Sequence, residues 1–336
     1  WSSDVCSSDL VVLRPDSAAV HYDLGLALYA QHKPAEAEVA FRKSLYLNAN
    51  DAKVCNNLGM ALATQGKNEK ALAAFHKALE IDPSLSAAHN NLGNVHATGG
   101  ELTEAIAAYE RAITLQPDYA DAYSNLGNAL AERGMLSDAI AAYDQSIALA
   151  PGVARVHNNR GAALLRQGRH EAAIAAFRQA VALDPEYAEG HSSLVQALHY
   201  SPELDSDTVS GEARRWYDMH AAALGAQARA YENSRDPDRR LRVGYVSADF
   251  RSHPVGWFFA PVFEHHDRKR FEVFCYSGVA HPDDFTETFR RQAECWRETL
   301  GDNDEKLAER IRADAIDILI DLSRSEEHTS ELQSQF

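Results

Sequence analysis

NLGMALATQGKNEKALAAFHKALEIDP, Asn57 to Pro83, decides the fold, because its spacing recurs along the chain. Gly59 has counterparts at Gly25, Gly93, Gly127 and Gly161, each 34 residues from the next. Twelve residues after each glycine stands an alanine (Ala37, Ala71, Ala105, Ala139, Ala173), and sixteen after it an aromatic (Phe41, Phe75, Tyr109, Tyr143, Phe177). Nineteen after it comes a small residue: Ser44, Ala78, Ala112, Ser146 and Ala180. Pro83, Pro117, Pro151 and Pro185 close four units, Ala49 stands in for the first, and Pro15 sits where a preceding unit would close.

Each unit reads as two amphipathic helices joined by a turn such as Gln65-Gly66-Lys67 or Arg133-Gly134-Met135. Small residues let the paired helices approach, the aromatic is expected to fill the space between neighbouring units, and proline stops the second helix because it has no amide donor. One pair cannot bury its apolar face alone, so stacked units share a core and wind into a superhelix. Period and pattern resemble the tetratricopeptide repeat. Arg160, where the other units carry leucine, is the one departure.

Two residues before the glycine stand Asn57, Asn91, Asn125 and Asn159, with Asp23 in the first unit. Asparagine is a poor helix-interior residue, yet it recurs at one position on one face. It is either an inherited feature of the repeat or a ladder of amides along the concave groove. A side-chain amide donates to a backbone carbonyl and accepts from a backbone N–H, so a ladder can hold an extended peptide without reading its side chains. The ladder is the preferred reading.

Another repeat-like helix begins near Ala188 and loses the pattern near Pro202; an amphipathic linker helix is expected over about Asp207 to Ala228. Asp205-Ser206-Asp207 and Asp302-Asn303-Asp304 match the D-x-D form of metal-dependent sugar transferases, but each precedes a predicted helix and reads as N-cap residues. The periodicity then changes. LRVGYVS (Leu241 to Ser247), FEVFCYS (Phe271 to Ser277), Cys295 to Thr299 and IDILIDL (Ile316 to Leu322) are strand-like and alternate with helices at Pro254 to His266, Asp284 to Ala293 and Asp302 to Ala313. Such alternation predicts a parallel, doubly wound sheet. It contains no glycine-rich phosphate loop.

Open sheets of this kind place ligands at the carboxyl ends of their strands. After the first strand comes Ala248-Asp249-Phe250-Arg251-Ser252-His253-Pro254. A histidine there can take a proton from a hydroxyl nucleophile, or serve only as a loop or capping residue; the residues alone leave both open. His265, His266 and His281 lack ligand spacing and read as surface residues.

Composition narrows the class. Of 336 residues 45% are hydrophobic and 24% charged, and 33 basic against 49 acidic residues give −16. A chain this acidic is unsuited to nucleic acid or anionic membranes, and no run reaches the ~20 apolar residues of a membrane span. WSSDVCSSDL (residues 1–10) and the segment beginning RSEEHTSELQ (residues 324–336) read as translations of one adapter oligonucleotide on opposite strands, hence as non-native flanks of a fragment. Each flank carries −2, leaving −12 for the rest. Cys6 lies in a flank; Cys55, Cys275 and Cys295 show no C-x-x-C spacing, so a disulfide framework or metal site is not expected and a reducing, cytoplasmic setting is. The domains are then repeats over 11–200, a linker helix over 201–240 and the start of an α/β domain over 241–323.

The repeats followed by LRVGYVSADFRSHPVGWFF (Leu241 to Phe259) and FEVFCYS resemble the protein O-linked N-acetylglucosamine transferases and their SPINDLY-like relatives, over essentially all of residues 11–323. The resemblance implies an all-α superhelix leading into the first of two Rossmann-like domains in the GT-B arrangement. It implies an inverting, metal-free transfer of a sugar from a nucleotide donor, most simply N-acetylglucosamine from UDP-GlcNAc, to Ser/Thr hydroxyls, with no cofactor beyond that co-substrate. His253 matches the family's active-site histidine, as base or positioner. Asn57, Asn91, Asn125 and Asn159 match its acceptor-binding asparagine ladder, from which Asp23 departs. The family has glycine where Ala315 stands. Because the donor binds mainly to the second domain, the chain as written is expected to be inactive. The alternatives are a non-catalytic peptide-binding adaptor and a protein O-fucosyltransferase using GDP-fucose.

Overall fold

The computed structural model describes residues 16–201, 205–222, 233–234, 236 and 238–322. The two flanks read as non-native lie outside these residues, as does the stretch 223–232 into which the linker helix was expected to run. The chain divides into two compact units on either side of residue 204.

The first unit is a stack of helices: α1 (Ala18–Ala30), α2 (Pro34–Leu47), α3 (Ala52–Thr64), α4 (Asn68–Ile81), α5 (Ser86–Thr98), α6 (Leu102–Leu115), α7 (Ala120–Glu132), α8 (Leu136–Leu149), α9 (Ala154–Arg166), α10 (His170–Leu183) and α11 (Ala188–Leu198). The expected five helix pairs and the sixth repeat-like helix are all present. Inside each pair the chain turns through a left-handed residue, His32 in the first and Gly66, Gly100, Gly134 and Gly168 in the others. The residue before each closing proline is drawn out of the helical region, as at Asp82 (φ −133°, ψ 93°), which ends the second helix.

The aromatics are placed differently from the expectation. Each ring lies first against the glycine of its own unit: a Cβ on Gly59 would stand 2.5 Å from Phe75 Cε1, and one on Gly127 2.6 Å from Tyr143 Cε1. The same contact recurs at Gly25, Gly93 and Gly161. The rings are buried to within 2% and the alanines at position twelve completely. The aromatic therefore sets the spacing of α3 from α4 rather than merely filling a gap between units. Arg160 resolves its departure by reaching Asp144 on α8, with Nε 2.5 Å from Oδ1.

The second unit begins with α12 (Ser206–Trp216), followed by a π-helical turn over Tyr217–Ala221. Asp205 caps α12 by accepting from Thr208 N–H. At the other D-x-D segment the cap is Asn303, while Asp302 pairs with Lys306 and Arg310. The sheet comprises β1 (Leu241–Ser247), β2 (Phe271–Ser277), β3 (Cys295–Glu298) and β4 (Ile318–Asp321), all parallel in the order β3-β2-β1-β4. Between them run α13 (Pro254–Glu264), α14 (Asp284–Gln292) and α15 (Asp304–Ala313). Phe259, Phe263 and Phe289 from α13 and α14 pack with Val243, Tyr245, Val273 and Cys275 on one face. Leu307 and Ile311 from α15 pack with Val246, Phe274 and Tyr276 on the other. Both faces are covered, which is why β1 and β2 each bury their last five residues in succession instead of alternating. His266 is not the surface residue expected: burial lowers its pKa, and its ring lies edge-on to Tyr245, whose hydroxyl is 2.5 Å from Nε2.

Just before β4, at the amino ends of the strands, Asp317 accepts from Asn233 Nδ2 (2.7 Å), the Arg242 amide (2.8 Å) and both terminal nitrogens of Arg239. The Arg239 guanidinium outweighs burial and holds the Asp317 carboxyl down at about 2. A depressed folded-state pKa contributes stability above the unfolded value of about 4. That contribution should disappear as pH falls from about 4 to about 2. Urea midpoints followed by tryptophan fluorescence will show this slope, and Asp317→Asn should flatten it. A second prediction concerns Ala315, which ends α15 at φ 50°. A left-handed Cβ costs about 1–2 kcal/mol, partly offset because alanine restrains the unfolded chain. Ala315→Gly should therefore stabilise the second unit by roughly 0.5–1 kcal/mol, read in the same titration.

Candidate functional site

The amides at the ladder position lie on the first helix of successive pairs and are half-buried. Each donates backwards along the stack: Asn57 Nδ2 to Tyr22 Oη (3.0 Å), Asn91 to Asn56 Oδ1 (3.0 Å), Asn125 to Asn90 Oδ1 (3.0 Å) and Asn159 to Asn128 Oδ1 (2.9 Å). The acceptor is the residue one before the ladder position in the preceding unit, except in the last case. There Ser124 is too short, and Asn128 takes its place. At the far end Ser193 stands where a further amide would donate, and Asn158 Oδ1 is left buried without a hydrogen-bond partner. Asp23 is exposed.

Each ladder amide thus commits one N–H to its neighbour and keeps the other. The carbonyl oxygens of Asn91, Asn125 and Asn159 take no hydrogen bond among the described residues. A free donor and a free acceptor are what an extended peptide backbone requires. Asn91 and Asn125 line a cavity of about 680 Å³ with Asn90, Asn94, Asn128 and Tyr119.

A second row of polar groups was not read from the sequence. Tyr109 Oη donates to Asn94 Oδ1 and Tyr143 Oη to Asn128 Oδ1, both at 2.8 Å. Burial pushes both phenols well above the usual tyrosine value. The signal was available: where the aromatic is tyrosine the residue after the glycine is Asn94 or Asn128, and where it is phenylalanine that residue is Leu26, Met60 or Ala162.

In the second unit, β1 has β2 on one side and β4 on the other, so the strand order reverses there, and in open sheets ligands bind outside the carboxyl ends of the strands at such a point. The loop carrying His253 leaves from this end. It is tightly wound: Arg251 N–H bonds Asp249 O and His253 N–H bonds Arg251 O, both at 2.7 Å. Gly256 permits the winding, since a Cβ there would stand 2.4 Å from Arg251 O and 3.1 Å from Asp249 O. Asp283, which caps α14, also accepts from Ser252 N–H at 2.7 Å and ties the loop to the neighbouring helix. His253 is itself the N-cap of α13: its Nδ1 accepts from Val255 N–H at 3.4 Å, and Pro254 follows as the first helical residue. Its side chain is 37% exposed, and Asp249 Oδ2 lies 3.5 Å from the same nitrogen. Arg251 Nη2 is 3.5 Å from Asp249 Oδ1, and Arg251 Nε is buried without a hydrogen-bond partner. One turn along α13, Trp257 and Phe258 are 56% and 84% exposed. The imidazole stands at the helix cap and remains part-exposed to solvent. No described helix is long and apolar enough to cross a membrane.

Comparison with known proteins separates the chain in the same way. Residues 220–327 match the family model "Glycosyl transferase family 41", and residues 52–85, 94–134 and 124–188 match tetratricopeptide-repeat models. The probable UDP-N-acetylglucosamine–peptide N-acetylglucosaminyltransferase SPINDLY of Petunia hybrida is 34% identical over 131 residues, 38% of this chain and 14% of that protein. The probable UDP-N-acetylglucosamine–peptide N-acetylglucosaminyltransferase SEC of Arabidopsis thaliana is 36% identical over 86 residues, 25% of this chain and 9% of its own. A solved mutant of Thermobaculum terrenum O-GlcNAc transferase superposes with a TM-score of 0.56 at 35% identity, covering 71% of this chain and 46% of that one. The chain therefore spans only a small part of the curated relatives and under half of the solved one.

The tyrosine–asparagine pairing predicts a double-mutant result. Phe75→Tyr should bury a hydroxyl facing Met60 with no acceptor and cost about 1–3 kcal/mol. Adding Met60→Asn should recover at least half of that loss, as measured by thermal and urea unfolding of the four variants.

Proposed function

We propose that this chain, which joins tetratricopeptide repeats to a glycosyl transferase family 41 segment in the manner of O-GlcNAc transferases and SPINDLY proteins, serves protein O-glycosylation. In this reading residues 11–200 form the groove that holds the acceptor polypeptide, with Asn57, Asn91, Asn125 and Asn159 on its main chain. Residues 201–240 link it to the catalytic segment 241–323, where His253 meets the acceptor hydroxyl. The donor is a nucleotide sugar, UDP-GlcNAc by the names of the relatives, and is bound mainly by a second Rossmann-like domain. No metal or further cofactor takes part, and the protein works in the cytoplasm.

One observation carries the proposal: a single chain holds both a groove of half-satisfied amides and a family 41 strand–loop segment with an accessible imidazole at the carboxyl end of β1. Neither would suffice alone. Repeats of this kind support many binding proteins, and a loop histidine is common. The ladder explains how acceptors of differing sequence could be held, since main-chain recognition is indifferent to side chains. Inverting transfer then asks little of the second unit beyond orienting the hydroxyl and accepting its proton.

The test has two stages. Fluorescence anisotropy with a labelled Ser/Thr-containing peptide should detect binding to the present chain. Asn91→Ala combined with Asn125→Ala should weaken it about tenfold, the equivalent of roughly 1.4 kcal/mol. Scrambling the peptide should change it little. The full reading frame of the gene is then incubated with the peptide and either UDP-GlcNAc or GDP-fucose, and the peptide mass is read. An N-acetylhexosamine increment lost in His253→Ala supports the reading, a fucose increment reassigns the donor, and peptide binding without any increment favours the adaptor.

A further inference from the structure

We propose that Asp249 is a positioning residue that holds His253 as its Nδ1–H tautomer, which leaves the Nε2 lone pair free to receive a proton; this rests on the reading of His253 as the reacting imidazole.

Two groups compete for His253 Nδ1. Val255 N–H, at 3.4 Å, needs a lone pair there, whereas Asp249 Oδ2, at 3.5 Å, needs a proton there. The outcome fixes the other ring nitrogen, because a neutral imidazole carries one proton. If the helix cap prevails, Nε2 bears the proton and His253 can only donate a hydrogen bond to what it meets. If the carboxylate prevails, Nε2 is a base.

Three features of the loop favour the carboxylate. Both contacts are longer than the usual ~2.7–3.2 Å, so distance does not decide between them; the cap is a neutral N–H···N contact, whereas a charge-assisted bond is about twice as strong as a neutral one. The Asp249 side chain is only 19% exposed, so water screens it weakly. Arg251 draws the other carboxylate oxygen, Oδ1, towards itself and leaves Oδ2 for the imidazole. The backbone keeps this arrangement in place, with Asp249 N–H on Ser247 Oγ at 2.9 Å and the loop carbonyls closed over Gly256.

The tautomer has a chemical consequence that balances. As the acceptor hydroxyl oxygen forms its bond to the anomeric carbon, its proton passes to Nε2. The bond from that carbon to the donor phosphate breaks, and the nucleoside diphosphate departs with the electron pair. Asp249 then faces the imidazolium so formed and stabilises it, as a carboxylate does beside a catalytic histidine in hydrolases.

Long-range proton–nitrogen correlation spectra of the 15N-labelled chain read the tautomer directly. His253→Gln identifies the signals, recorded at alkaline pH so that the ring is neutral. In the native sequence Nδ1 should carry the proton and Nε2 should not. In Asp249→Ala the two nitrogen shifts should exchange, since Val255 N–H then governs Nδ1. A native Nε2–H tautomer, or shifts unchanged in Asp249→Ala with the backbone amide spectrum intact, overturns the proposal. Should the alanine variant lose amide dispersion, the near-isosteric Asp249→Leu, which has no acceptor, gives the reading: an exchanged or mixed tautomer supports the pairing and an unchanged one overturns it. A chain devoid of transfer still yields this spectrum, so failure of the pairing and failure of the transferase reading are seen in separate experiments.

Discussion

The repeat unit depends on one contact, a glycine without a Cβ lying under an aromatic ring sixteen residues further on. At 2.4–2.7 Å from the ring, no Cβ fits at any of the five positions, so the distance between the two helices of a pair is set by the ring and by nothing more adjustable. Gly25 and Phe41, or Gly161 and Phe177, thereby impose one geometry on five different sequences. Interiors packed to crystal-like density tolerate little variation at such a point. A constant pair geometry makes a constant rotation from unit to unit, and this brings the ladder position, two residues before each glycine, within hydrogen-bond reach of the unit before it. The amide ladder is thus a consequence of the glycine contact, expressed 34 residues at a time.

In the second unit the equivalent constraint is the winding of residues 249–256. A strand end, two successive tight backbone bonds, an extended residue before proline and a glycine under two carbonyls leave His253 almost no freedom of place. The loop leaves β1 where the strand order reverses, and Asp283 at the start of α14 anchors it. Position is therefore fixed by backbone, while the protonation pattern of the ring is left to side chains. That division suits a site in which a small rotation of Asp249 or Val255 decides between donor and acceptor.

Much of this was legible in the sequence, for a physical reason. Spacing along a chain reports which residues share a helix face, so the five units, their turns, the closing prolines and the alternating strands could be read from period alone. What spacing cannot report is which groups meet across elements. The ring against the glycine of its own unit, the bond from Asn91 to Asn56 and the contact of half-buried His266 with Tyr245 are all pairings through space. Ala315 is a case between the two: the expected glycine at that position was noticed, but only the left-handed backbone shows why glycine belongs there. Asp249 went unread because a carboxylate four residues before a histidine has no meaning until a wound loop brings them together. The tyrosine–asparagine pairs were within reach, since their co-occurrence is visible at a fixed offset.

The direction of the ladder explains its two irregular ends. Every bond runs from an amide N–H to an acceptor in the preceding unit, so a residue at this position must be a donor to take part, and its predecessor must be an acceptor. Asp23 carries a carboxyl where the other units carry an amide and so has no N–H to pass on, while Tyr22 before it still serves as the regular acceptor for Asn57. At the other end Asn158 offers an acceptor, but Ser193 is too short to answer it, and the oxygen is left unpaired. Between these points the amides are oriented in advance by their neighbours. A peptide entering the groove then need not fix their rotamers, which would otherwise cost about 0.5–1.5 kcal/mol for each side chain immobilised. Pre-orientation of this sort adds affinity without selectivity. In the proposed reading, where the groove holds many acceptors, that combination is what is required, and a ladder of independent asparagines would not supply it.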